Sequence, residues 1–137
     1  MVGVDLVVWV DSWQMQCCGA RFSVGGQVEW TLTDADHDWL NSVLGPQGPR
    51  SVDVAEEHHG GVADDAPVTA GTVTSIDAVR CAFAPAPGGD NRHLYPVPGS
   101  GRLEAVMSAD GWTPDVGGLR FAGYLVHLTG VDEPPGR

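Results

Sequence analysis

Three cysteines and two neighbouring histidines are the residues of this sequence whose side chains could hold a metal ion. Cys17 and Cys18 are adjacent, Cys81 stands alone, and His58 and His59 follow two glutamates in the stretch EEHHG. Thiolates and imidazoles are ligands that zinc prefers, and a Cys/Cys/His/His set would suit a tetrahedral site. The types of these residues therefore predict a zinc site, with zinc as the cofactor.

The spacing of the same residues favours a simpler interpretation. Structural zinc sites usually place two cysteines about two to four residues apart, whereas adjacent side chains on an extended segment point in opposite directions. One of Cys17 and Cys18 would then face the core as a small apolar side chain, and Cys81 would do the same. His58 and His59 would also diverge on a strand. Buried thiols and a zinc site both stay open at this point.

An enzymatic function is not favoured by the sequence. Nucleophilic catalysis needs a base aimed at a serine or cysteine, and no stretch has a recognised signature of that kind. GDNRH and PGSG lack the lysine and the following helix of a phosphate-binding loop. A thiol-dependent or metal-dependent enzyme is a further alternative, which would need an accessible cysteine with a lowered pKa.

Trp13 and Met15 form a second candidate surface. They lie in the polar stretch DSWQMQ, between an apolar strand and the adjacent cysteines. Tryptophan usually belongs to the core, but an indole in a polar segment can also line a pocket. We therefore predict a ligand or partner surface at Trp13 and Met15.

The charge of the chain excludes some classes of partner. Eighteen acidic residues stand against seven arginines, which gives a net charge of −11. Such a chain repels nucleic acid and anionic membranes, so we expect a protein partner or a small ligand. Neither a transmembrane run nor a signal peptide is indicated, and we expect a cytoplasmic protein. In a reducing cytosol the cysteines would be free thiols or metal thiolates.

Short apolar stretches between glycine and proline turns predict a mainly β protein. VDLVVWV, near the N-terminus, is apolar at nearly every position, which indicates a central strand. Further strands follow in QVEWTLT, SVDVAEEHH, TVTSIDAVRCAF, RLEAVM and FAGYLVHL. The apolar alternation changes at Ile76, which predicts a β-bulge near residues 75–77. We expect a small barrel or a curled antiparallel sheet of about six strands.

One short helix is predicted in DADHDWLNSVLGP. Asp34 or Asp36 can cap its start, and Gly45, followed by a proline, can end it. Apolar residues recur at helical spacing within it. We expect a helix at about residues 35–44, packed across the open end of the sheet.

The whole chain, residues 1–137, is predicted to form one domain with two irregular segments. Residues 84–101 hold four of the ten prolines together with several glycines, which indicates a mobile loop without a strand. Residues 131–137 form a tail that we expect to be disordered.

The stretches DSWQMQCCG, EEHHG and RFAGYLVHL resemble an uncharacterised family of small actinobacterial-type proteins, which is catalogued only as a domain of unknown function. The similarity covers nearly the whole chain, and D-S-W-Q-x-x-C-C-G is its most specific part. The resemblance implies no activity and no catalytic residue. We expect a small cytosolic β-barrel that serves as a binding or accessory module, with a zinc-binding protein as the alternative.

Overall fold

The structure is a computed structural model that describes residues 4–17, 20–45, 52–57, 68–89 and 92–131. These residues form strands and two helices. In chain order the elements are β1 (Val4–Asp11), α1 (Ser12–Cys17), β2 (Phe22–Ser23), β3 (Gln27–Asp34), α2 (His37–Leu44), β4 (Val54–Glu56), β5 (Val68–Cys81), β6 (Phe83–Pro85), β7 (Leu94–Pro96), β8 (Arg102–Val106), β9 (Ser108–Ala109) and β10 (Arg120–Val131).

Five strands close into a barrel in the order β10–β1–β4–β3–β5, because β5 pairs with β10 as well as with β3. The pairing of β1 with β4 is parallel, and the other four pairings of the barrel are antiparallel. β8 lies outside the closed ring and pairs with β5. The prediction of a mainly β fold with a small barrel is confirmed.

β5 bends within the barrel because it contains one extra residue. Its pairing with β10 passes from Ser75–His127 to Val73–Leu128, so that Thr74 has no opposite residue. The extra residue allows both Val73 and Ile76 to face the interior, although they are three positions apart. The predicted bulge exists, one residue before the predicted range.

β1 is buried on both faces, as its apolar sequence predicted. Val8 and Val10 face the barrel interior, where they pack with Tyr124 of β10. Trp9 faces outward into a second apolar layer, which α2 covers with Leu40 and other apolar side chains. α2 thus packs against the outer face of the barrel, rather than across an open end.

The predicted helix is confirmed as α2. Asp36 caps it by accepting a hydrogen bond from the backbone N–H of Trp39 at 3.1 Å. Gly45, with a φ of +59°, ends it. The backbone N–H of Gly101 then donates to the carbonyl of Val43 at 2.8 Å, which satisfies one carbonyl of the last turn.

Three features of the structure were not predicted. α1 is a helix in DSWQMQ, which the sequence indicated to be a polar loop. The segment 84–101 contains most of a β6–β7 hairpin, so the prediction that no strand runs there is wrong. Pro85 and Pro96 each occupy the last position of a strand, where a missing N–H is tolerated. Val131, predicted in the disordered tail, is the last residue of β10 and 3% exposed, and residues 132–137 lie outside the described residues.

None of the helices in the described residues is long and apolar enough to cross a membrane.

Gly123 provides a test of how β10 holds Trp9 in place. A Cβ at this position would collide with the carbonyl oxygen of Val10 and lie 2.7 Å from the ring of Trp9. We expect Gly123→Ala to lower the free energy of unfolding by at least about 3 kcal/mol, because backbone and indole would both have to move. Urea denaturation followed by tryptophan fluorescence measures this change.

Gly118→Ala is the matched control. A Cβ there would meet no atom within 4 Å, so we expect a change within about 0.5 kcal/mol. Equal stability of the two variants would contradict the described packing of Trp9.

Candidate functional site

A cavity of about 360 Å³ lies on the outer face of the barrel, between β1, β3, β4 and the two helices. Among the described residues, its lining combines two indoles, two apolar side chains, one amide, one hydroxyl and five carboxylates, without a cationic side chain. The lining residues are Trp9, Asp11, Gln14, Thr33, Asp34, Asp36, Trp39, Leu40, Ala55, Glu56 and Glu57.

Asp11 is a carboxylate of this cavity whose surroundings shift its pKa. It is the last residue of β1 and follows Trp9 by two positions, so both side chains lie on the outer face. Burial raises the pKa of Asp11 above its ordinary value, and the negative charge of Glu57 adds to this rise. The indole N–H groups of Trp9 and Trp13 donate hydrogen bonds to the carboxylate and act in the opposite direction. The ionised form of Asp11 is therefore costly in the free protein.

The neighbouring polar groups are buried as well. Gln14, which α1 turns inward, is 3% exposed and donates a hydrogen bond from Nε2 to Oε1 of Glu57 at 2.9 Å. Glu56 is 4% exposed. Burying a carboxylate costs free energy unless hydrogen bonds or charges compensate it. Such groups are a common feature of binding sites.

Trp9 and Trp39 supply the aromatic wall. Their ring centroids lie 5.5 Å apart and the rings are inclined by 51°. The face of an indole attracts cations, and it does so more strongly where water is excluded. Aromatic faces beside carboxylates are surroundings in which proteins bind organic cations.

Cys81, one of the predicted metal ligands, is a core residue. It is fully buried in the layer between the barrel and α2, together with Val79 and Leu125. Its thiol is free, and burial raises its pKa. The interpretation of Cys81 as a small apolar side chain is confirmed, and it is not a cysteine of lowered pKa.

The other predicted ligands do not yield a described metal site. Cys17 is exposed at the end of α1 and is disulfide-bonded rather than a free thiol. Cys18, His58 and His59 lie outside the described residues. In the described part of the chain, no group of three or more His, Cys, Asp or Glu side chains could hold a metal ion. The zinc site stays a prediction.

The structure separates the two residues of the predicted ligand or partner surface. Trp13 is 48% exposed and bonds to Asp11 at the cavity, whereas Met15 is buried. The sequence analysis did not select Asp11, Gln14 or Trp39. The stretch DSWQ carried one usable signal, because a carboxylate, an indole and an amide within four positions suit a polar site.

In a comparison with known protein families, residues 4–130 match the family described as "Family of unknown function (DUF6578)". No curated protein and no solved structure matches the chain. The resemblance to an uncharacterised family is confirmed, while the actinobacterial-type origin and the D-S-W-Q-x-x-C-C-G motif stay predictions.

Asp11→Asn tests the electrostatic strain at the cavity. The pKa of Asp11 is raised in the folded state, so the folded chain binds more protons than the unfolded chain above the ordinary carboxylate pKa. The contribution of Asp11 to the free energy of unfolding therefore falls as the pH rises from the ordinary carboxylate pKa through the raised pKa of the folded state. We expect Asp11→Asn, which keeps an acceptor for the two indoles, to raise the thermal unfolding midpoint at pH 7. The gain should disappear as pH falls toward 3.8, the ordinary value.

Asp77→Asn on β5 removes the same charge outside the cavity and serves as the control. The electrostatic description would be wrong if Asp11→Asn were less stable than the wild type at pH 7, or if both variants changed alike.

Proposed function

We propose that the chain, which belongs to the Family of unknown function (DUF6578), is a small β-barrel binding module for an organic cation. The family membership transfers no activity, so the proposal rests on the cavity. The cation would occupy the cavity between Trp9, Trp39 and Asp11. This proposal gives the expected binding module a site and a ligand class.

The observation that carries the proposal is the state of Asp11. Its carboxylate is partly buried, it accepts hydrogen bonds from two indoles, and Glu57 adds a second negative charge nearby. A bound cation would favour the ionised form of Asp11 and lower its pKa. The interaction that is unfavourable in the free protein thus becomes favourable in the complex, which gives the cavity a preference for positive charge.

The size and lining of the cavity limit the ligand further. A volume of about 360 Å³ is near the lower end of the range for small-molecule sites, roughly 300–1,000 Å³. A guanidinium or a primary ammonium group can donate several hydrogen bonds to carboxylates, while its charge lies against an indole face. We therefore expect a compact ammonium or guanidinium group, free or at the end of a flexible chain.

The polar groups of the lining suit the binding of a cation. Among the described residues it offers carboxylates, the amide of Gln14 and the hydroxyl of Thr33, which can orient a cation by hydrogen bonds. No observation among these residues favours zinc as a second function.

Ethylguanidinium is a suitable probe, and ethylurea is its uncharged isostere. We expect ethylguanidinium to shift the indole N–H resonances of Trp9, Trp13 and Trp39 in two-dimensional NMR spectra, whereas ethylurea should leave them in place. Asp11→Asn should weaken ethylguanidinium binding roughly tenfold or more, because a charge-assisted hydrogen bond contributes about 1.5–3 kcal/mol.

Asp77→Asn again controls for the loss of one negative charge, and it should bind with nearly wild-type affinity. Equal binding of ethylguanidinium and ethylurea, or equal binding by the wild type and Asp11→Asn, would contradict the proposal.

A further inference from the structure

Two tryptophans of the described residues have exposed side chains. Trp112 is 66% exposed and Trp13 is 48% exposed, although most large apolar side chains of the described residues are at least partly buried. Single exposed apolar side chains are common on protein surfaces, whereas exposed apolar side chains that form a contiguous patch can mark an interaction site. Indoles in such positions are frequent anchors of protein interfaces.

The backbone on both sides of Trp112 is held firmly. Tyr124, which is fully buried, accepts a hydrogen bond from the N–H of Gly111 at 3.1 Å, and its hydroxyl lies 2.7 Å from Oγ1 of Thr113. The N–H of Trp112 itself donates to Oδ1 of Asp110 at 2.8 Å. The exposed ring is thus carried by an anchored loop, and less entropy is lost when a partner covers it.

α1 joins the two exposed indoles into one surface. Nε2 of Gln16 donates to the carbonyl of Gly111 at 2.9 Å, and a Cβ at Gly111 would lie only 2.7 Å from Cβ of Met15. Trp13 and Gln16 are three positions apart in the helix and share one of its faces. Trp13 is therefore carried by the helix that contacts Gly111, and Trp112 directly follows Gly111 in the chain. We call the surface formed by Trp13, Gln16 and Trp112 the indole surface.

The indole surface continues into the acidic cavity. Trp13 donates a hydrogen bond to Asp11, which lines the cavity, and Asp110 lies directly before the Gly111 contact. α1 has six residues and is about 9 Å long, a distance that about three residues of an extended peptide span. One peptide segment can therefore reach the cavity and Trp112 together.

The geometry points to a basic polypeptide segment as the partner, with one arginine or lysine in the cavity and a further cationic side chain against Trp112. This inference rests on the proposed function and names the partner of the same site. Charge complementarity supports it, since the chain carries a net charge of −11, the Trp13 side chain is hydrogen-bonded to Asp11, and Asp110 accepts a hydrogen bond from the backbone N–H of Trp112. The same charge disfavours a second copy of this chain.

The test uses two probes on the full chain. The first is a fluorescently labelled peptide of nine residues, alternating glycine and arginine, compared with a peptide in which citrulline replaces each arginine. The second is ethylguanidinium. We expect the arginine peptide to bind in fluorescence anisotropy measurements, the citrulline peptide to bind at least about tenfold more weakly, and added salt to weaken the arginine complex.

Trp112→Ala separates the inference from the proposed function. Loss of one indole–cation contact should weaken peptide binding roughly three- to thirtyfold and leave ethylguanidinium binding unchanged, because the small cation reaches only the cavity. Trp112→Phe should restore part of the peptide affinity. Val68→Ala is the control, since Val68 is also exposed (59%), is the first residue of β5 and does not belong to the indole surface.

Each outcome decides one of the two claims. If Trp112→Ala bound the arginine peptide as tightly as the wild type, or if the citrulline peptide bound equally well, the basic segment would be the wrong partner while the cation cavity could stand. If neither ethylguanidinium nor the arginine peptide bound the wild type, the proposed function itself would be wrong.

Discussion

The pairing of β10 with β5 is the constraint on which the rest of the structure depends. The two strands have 12 and 14 residues and pair over most of their length, which closes the barrel. With the barrel closed, β1 lies beside β10 and has both of its faces covered. A ring as large as that of Trp9 fits on the outer face because Gly123 of β10 leaves the necessary space.

The position of Trp9 in turn determines the cavity. Its ring packs beside Trp39 of α2, and its indole N–H donates to Asp11 at the end of the same strand. The apolar layer that stabilises the fold therefore also takes a carboxylate out of water. A site arranged in this way lowers the stability of the free protein and favours the binding of a cation. The negative charge of the cavity follows from packing, which brings together five carboxylates among its described lining residues.

Local patterns were sufficient for the elements whose stability is largely local. The alternation of apolar residues and the cap at Asp36 predicted the strands and α2, because side-chain direction and capping depend on neighbours in the chain. α1 was missed because its six residues have no strong helical signal, and the helix makes a contact with Gly111 that spans 95 positions. The β6–β7 hairpin was missed because prolines at the ends of short strands look like a loop in sequence.

The sequence by itself determined the mainly β class, one helix, the strong negative charge and the membership of an uncharacterised family. It left Cys81 open between a core thiol and a zinc ligand, and the structure buries it in the core. Only the tertiary structure decided that Asp11, Glu57 and Trp39 share a cavity and that Trp13 stays exposed above it. The physical reason is that burial and electrostatic neighbours arise from the packing of segments tens of residues apart, whereas a sequence pattern reports only what adjacent residues prefer.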